Sequence, residues 1–268
     1  HIFRYAVSST CLGLGAAYGV SEDVILDVAA LTQLLHDASL IHDDLIDEDS
    51  QRRGCPAIWK KYGKSKALLI GDLLIAKAYE VASDSKVADE IKVAWTREIS
   101  SAVSSAISGA VEELEFDTTE TAVILDDYFR MASHKTGALF ALPARCITHV
   151  VDQTDHKDLL SEIFLNLAVA YQIKDDQSDF LGTKSGRAHS SDLKNARPNL
   201  YHMLVNTHMS TNESFSYIGD YHQSLVADSI QLAESLPDQV CGTLKELLFP
   251  FIELQQSPSS SRLLPVGS

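Results

Sequence analysis

The sequence predicts an all-α protein, a single large helical bundle around a central active-site cavity. Three observations predict it. Apolar residues recur with helical spacing along most of the 268 residues. Alternating apolar and polar runs long enough for strands are scarce. Two aspartate triads each follow a mostly apolar helical run, Val28 to Ile41 and Ile163 to Ile173. A buried helix ending in carboxylates lines a cavity more naturally than it faces bulk water.

In chain order, periodicity places helices over 23–47, 65–83, 86–117, 121–134, 138–150, 157–179, 198–206, 217–235 and 239–255. The first and the sixth of these carry the triads. No Pro/Gly/Ser linker divides the middle, and no repeat appears beyond the triads themselves. Residues 1–255 are therefore expected to be one domain. The stretch 256–268, with Ser257-Pro258-Ser259-Ser260-Ser261, is expected to be a flexible tail.

The triads are Asp43-Asp44-x-x-Asp47 and Asp175-Asp176-x-x-Asp179. Residues four apart share a helix face, so each triad aims two or three carboxylates one way. Such crowding is unfavourable without a cation. A hard divalent ion with oxygen ligands suits it, and Mg²⁺ takes a few carboxylates plus substrate phosphates. Two facing triads would make a metal–diphosphate site. The competing reading, two solvated acidic helix ends, is disfavoured by the apolar runs ahead of both.

Basic residues surround the triads in a fixed order. Arg52-Arg53-Gly54 follows the first, His134-Lys135-Thr136-Gly137 lies midway, and Gly186-Arg187 and Asp192-Leu193-Lys194-Asn195-Ala196-Arg197 follow the second. With Gly71-Asp72-Leu73-Leu74 and Tyr171-Gln172, this order resembles the trans-isoprenyl diphosphate synthases, the polyprenyl synthetase family, from about residue 20 to about 205. The resemblance implies an isoprenoid-synthase-type bundle. It implies that Asp43, Asp44, Asp47, Asp175, Asp176 and Asp179 bind three Mg²⁺ bridging an allylic diphosphate. Asp43, Asp44, Lys135, Asp175 and Asp176 are then the catalytic set. Arg52, Lys135, Thr136 and Arg187 would contact the allylic diphosphate, and Arg53 the diphosphate of isopentenyl diphosphate. Gln172 would lie near the reacting carbons, and Arg197 would help close the site. The implied activity is condensation of isopentenyl diphosphate with an allylic diphosphate, releasing pyrophosphate and giving a linear trans-prenyl diphosphate.

Some positions depart from the family pattern. Arg187 and Arg197 stand where lysines are usual, which keeps charge but changes contact geometry. Ala196 replaces a glycine, and Gln177 and Ser178 fill the second triad where aromatic or aliphatic residues are commoner. The family's Gly-Lys-x-x-Arg segment ahead of the second helix has no firm counterpart. The sequence begins at His1-Ile2-Phe3-Arg4-Tyr5 without a starting Met, and is expected to lack residues there, with Arg4 the candidate for that segment. Product length is expected to depend on Ala38 and Ser39, five and four residues before Asp43, where bulky aromatics stop the chain in short-product members. Both are small, which points to a geranylgeranyl or longer product, with Leu34 and Leu35 one turn deeper.

Net charge is −15, which argues against nucleic acid as a partner. No run of eighteen apolar residues is present, so no membrane span is expected. Cys11, Cys55, Cys146 and Cys241 show no disulfide or zinc spacing and read as reduced thiols of a cytoplasmic protein. His42 and His134 read as structural or surface residues. Asp126-Asp127 and Glu112-Glu113-x-Glu115 read as solvated faces or helix-end charges, and Phe140, Phe164, Tyr171 and Phe180 as core and cavity wall. Two alternatives stay open. One is a specialised class I isoprenoid synthase that uses another acceptor or cyclises its product; the second aspartate triad disfavours it. The other is a non-catalytic regulatory subunit, which commonly loses a triad. The resemblance implies a homodimer.

Overall fold

The computed structural model describes residues 2–116, 125–183, 197–206 and 210–247. Eleven α-helices and one small hairpin make up the described part. In chain order they are α1 (Ile2–Ala17), α2 (Glu22–Ile46), β1 (Gln51–Arg52), β2 (Cys55–Pro56), α3 (Ile58–Tyr62), α4 (Lys64–Asp84) and α5 (Asp89–Glu115). Then come α6 (Leu125–Ala132), α7 (Ala138–Val150), α8 (Thr154–Phe180), α9 (Leu200–Asn206), α10 (Thr211–Ala233) and α11 (Asp238–Leu247). The all-α expectation holds. The expected tail lies outside the described residues.

One continuous apolar core runs through the bundle. On α2, Val24, Val28, Leu31, Leu35 and Ala38 are buried at three- and four-residue spacing, which faces one stripe inward. That stripe packs beside α4, α1 and α7, while α7 packs against α5 and α8, and α8 against α10. Among the described residues, α2 is the one helix long and apolar enough, by length and composition alone, to cross a membrane. Its core stripe and its acidic end make it a bundle helix. It passes the length test because the apolar residues wrap beyond the core stripe.

Several elements differ from the periodicity reading. Helix α1 was not expected; its Cys11 and Leu14 are fully buried against the bundle. Helix α10 begins at Thr211 rather than near 217. Ser210 caps it, accepting from the Glu213 amide at 3.3 Å, while Glu213 accepts from the Ser210 amide at 2.9 Å. The helices expected over 121–134 and 138–150 are joined. Residues Ser133–Gly137 form one π-helical turn between α6 and α7, so no break occurs where Lys135 and Thr136 lie. Such widened turns are frequent at functional sites because they re-aim side chains without ending the helix.

All four cysteines are free thiols. Burial pushes Cys11 up to about 12 and Cys146 well above the ordinary thiol value, so both stay protonated. Cys241 is buried and Cys55, in β2, is exposed. A maleimide at pH 8 is therefore expected to label Cys55 alone in the native protein, and all four thiols only after denaturation, as read by peptide mass.

Candidate active site

Both triads sit at helix ends. Asp43 and Asp44 occupy the last turn of α2, and Asp47 caps it, its amide bonding the Asp43 carbonyl at 2.9 Å. Asp175, Asp176 and Asp179 occupy the last turns of α8. Gly182 (φ +67°) stops that helix: its amide bonds the Asp179 carbonyl at 3.0 Å, and the Thr183 amide bonds the Ser178 carbonyl at 2.9 Å. This left-handed closure needs a residue without a Cβ, and it fixes where α8 presents its acids.

A cavity of about 1190 Å³ joins the two ends. Asp43, Asp47, Asp175 and Asp176 line it, with Arg52, Arg53, Lys135, Thr136, Gln172 and Arg197. Asp44 and Asp179 are buried just outside its lining. The rest of the lining is largely apolar, with Leu35, Ala38, Ile75, Val103, Ala106 and Leu139, and Ser39 beside them. Arg187 lies outside the described residues. Helix α1 carries Arg4, whose side chain is not described.

The basic residues reach the first triad from three directions. Arg52, on the hairpin, donates from Nε to Asp44 at 2.6 Å and from a terminal nitrogen to Asp43 at 3.0 Å. The two-residue turn beyond it holds Arg53 (φ +54°) and Gly54 (φ +75°), with Arg52 paired to Cys55. That turn matches the twist of the strands but is costly for a non-glycine residue, and strain of this kind collects at ligand sites. Lys135, on the π turn, lies 3.3 Å from Asp43 and donates to Glu113 at 2.5 Å. Burial works against its charge, but Asp43 and Glu113 outweigh it and hold the ammonium pKa above its ordinary value. Arg197 donates to Asp47 and lies 3.8 Å from Glu113. Burial, joined by the charge of Asp43, pushes the Asp47 carboxyl up to about 6, against the pull of Arg197 and Lys135.

The second triad is anchored differently. Asp176, only 1% exposed, accepts from the Tyr128 hydroxyl at 2.5 Å, the Gln172 amide at 2.9 Å and the Leu200 amide at 2.8 Å. Thr136 donates to the Gln172 carbonyl oxygen at 3.5 Å, which ties the π turn to α8. Neither triad is a solvated helix end.

Comparison with known proteins follows this geometry. The profile of the family described as "Polyprenyl synthetase" matches residues 6–224. The chain belongs to the polyprenyl synthetase family. A geranylgeranyl diphosphate synthase of Methanosarcina mazei is 31% identical over 94% of this chain and 80% of its own length. A short chain isoprenyl diphosphate synthase of Methanocaldococcus jannaschii is 32% identical over 65% of this chain; the match spans 53% of that relative, about half its length. Among solved structures, a Helicobacter pylori geranyltransferase complexed with magnesium and isoprenyl diphosphate shares the fold. Its TM-score is 0.76 at 22% identity, over 91% of this chain and 82% of that one.

Within this polyprenyl synthetase chain, three residues matter that the sequence reading did not single out. Glu113, expected to be a solvated face or a helix-end charge, does lie in the last turn of α5, but its side chain is only 14% exposed and holds two cations. Its position on α5 faces the π turn rather than solvent, which spacing within α5 alone does not reveal. Tyr128 supports Asp176 from α6. Gly109 lets α5 approach the π turn: a Cβ there would fall 2.8 Å from the Lys135 Cα. By contrast, His42 keeps the structural role expected of it. Its ring packs on Gly71, where a Cβ would collide with it, and its Nε2 lies 3.3 Å from the Leu68 carbonyl oxygen.

Metal fit rests on donor chemistry. The first cluster sets the carboxylates of Asp43, Asp44 and Asp47, all hard oxygen donors, against Arg52, Lys135 and Arg197, beside a cavity able to admit phosphate. Among the described residues no three such side chains already converge on one point. Coordination would therefore need the acids to turn from their cations toward the ion.

Gly109→Ala is expected to destabilise the protein by about 1–3 kcal/mol, because the new methyl meets backbone rather than a flexible side-chain tip. Urea denaturation of the variant checks this.

Proposed function

We propose that this chain is a chain-elongating prenyltransferase that condenses isopentenyl diphosphate with an allylic diphosphate. The observation that carries the reading is the two-part lining of the cavity, with carboxylates of both triads and five cationic side chains in one part and apolar residues in the other. A diphosphate fits the first part and a prenyl chain the second.

Asp43, Asp44 and Asp47, with Asp175, Asp176 and Asp179, would hold Mg²⁺. The bound ions would neutralise the diphosphate and stabilise the charge that develops on it. Arg52, Lys135, Thr136, Arg197 and Arg187 grip that diphosphate, so the allylic C–O bond breaks with its electron pair leaving on pyrophosphate. The resulting allylic cation is attacked by the double bond of isopentenyl diphosphate, which Arg53 orients. A proton is then lost to the departing pyrophosphate, and Gln172 lies beside the reacting carbons. Lys135 suits its part, since its neighbours keep it charged across the working pH range.

The cation must meet no water. Ile107, Val111 and Leu114 of α5 line the cavity yet are 57%, 46% and 55% exposed, at helical spacing. Leu69 and Leu73 of α4 are exposed as well. A second copy of the chain packed on this face would bury it and seal the channel, which supports the homodimer. We place the enzyme in the cytoplasm, consistent with its free thiols.

Ala38 is 1% exposed and faces the channel beside Leu35. With small residues there the channel continues past the first triad, which supports a geranylgeranyl or longer product. One helical turn, about 5.4 Å, roughly matches one isoprene unit.

The deciding assay supplies Mg²⁺ and labelled isopentenyl diphosphate with dimethylallyl, geranyl or farnesyl diphosphate as primer. Linear prenols after dephosphorylation are the expected products, and chelation is expected to abolish them. Inactivity with every primer would favour the regulatory-subunit alternative. Ala38→Phe is expected to shorten the product, and an unchanged product profile would sink that assignment. Ile107→Glu combined with Val111→Glu is expected to halve the mass by light scattering and to raise the fraction of primer hydrolysed to alcohol.

A further inference from the structure

Among the described residues, Glu113 is the one carboxylate outside the triads that touches two of the site's cations. Its Oε2 accepts from Lys135 at 2.5 Å and lies 3.8 Å from Arg197. Each of those cations has its other contact in the first triad, Lys135 with Asp43 at 3.3 Å and Arg197 with Asp47. The three partners come from different elements: α5, the π turn between α6 and α7, and the segment ahead of α9. Gly109, one turn before Glu113 on α5, brings the backbones of α5 and the π turn together. This close approach sets the short Lys135 contact.

We propose that Glu113 is a positioning residue that holds Lys135 and Arg197 over the cavity while the triad carboxylates serve metal ions. The inference rests on the prenyltransferase reading. Its logic is a competition between partners. A divalent ion on Asp43 and Asp47 withdraws those carboxylates from Lys135 and Arg197. Without another anion the two long side chains would regain rotamer freedom, and ordering them again would weigh against diphosphate binding. Glu113 lies off the triad and belongs to neither proposed ligand set, so it keeps both cations at the mouth of the cavity. Because it faces them from α5, it leaves their donors toward the cavity open to phosphate oxygens. Arg53, on the hairpin, has no such link to Glu113, so the isopentenyl diphosphate subsite should not depend on it.

Glu113→Ala and Glu113→Gln, with exposed Glu115→Ala as control, test this. The first readout is calorimetric affinity for inorganic pyrophosphate in excess Mg²⁺, which needs no turnover. Glu113→Ala is expected to weaken it by about tenfold or more, the scale of a lost charge-assisted hydrogen bond. Glu113→Gln keeps an acceptor for Lys135 and is expected to recover part of the loss. Glu115→Ala should match the parent protein. The second readout is steady-state kinetics, where KM for the allylic substrate should rise while KM for isopentenyl diphosphate stays level. Pyrophosphate affinity within about twofold of the parent in a folded Glu113→Ala overturns the proposal. If that variant does not fold, parent-like affinity in Glu113→Gln together with a level allylic KM overturns it. Equal rises in both KM values also overturn it, because they indicate general damage to the site. A parent protein that makes no prenol refutes the prenyltransferase reading instead, and the pyrophosphate affinities still decide the role of Glu113.

Discussion

Repulsion among gathered carboxylates is the constraint on which the rest of this structure depends. Two like charges about 4 Å apart cost about 4 kcal/mol at an effective dielectric near 20, against about 1 kcal/mol in water. Helix geometry forces Asp43 next to Asp47, and burial removes the water that would soften the cost. The protein meets this with cations brought from distant parts of the chain: Arg52 from the hairpin, Lys135 from the π turn, Arg197 from ahead of α9. Burial, joined by the charge of Asp43, still raises the Asp47 carboxyl to about 6 against the pull of Arg197 and Lys135.

The described contacts of the two triads include ionic and neutral ones. At the first, neutralisation is ionic, and ion pairs can be exchanged for others when a charged ligand arrives. At the second, Asp176 is held by neutral donors, a tyrosine hydroxyl, a glutamine amide and a backbone amide. Those bonds fix geometry without cancelling charge. Gln172 and Thr136 connect the two ends.

Much of this was legible in the sequence, and what was not has a physical reason. The bundle and both triads could be read because period and spacing are local properties. Arg52, Arg53, Lys135, Thr136, Gln172 and Arg197 could be placed because their order along the chain resembles one family, and all six line one cavity. Glu113 was misread because a charge on an amphipathic helix looks the same whether water or a lysine from another helix faces it. Helix α1 went unread, and the start of α10 was set too late although the Ser210 and Glu213 capping pair was present in the sequence. The π turn was read as a break, because a widened turn interrupts the 3.6-residue period without interrupting the helix.

The same physics links the ends of the cavity. Under the proposed function, a diphosphate would bring its charge to the acidic, cation-rich end, and its prenyl chain would lie among Leu35, Ala38, Val103 and Leu139. Either part alone would bind poorly: the charged end repels hydrocarbon, and the apolar channel cannot solvate phosphate. In the proposed reaction, an amphiphilic substrate would thereby be oriented before any bond breaks, with its reacting carbon where the two environments meet. The apolar residues of α5 that line this channel also reach the surface. In the proposed reaction, the dryness the chemistry demands and the proposed association of two chains would be one requirement, placed on one helix face.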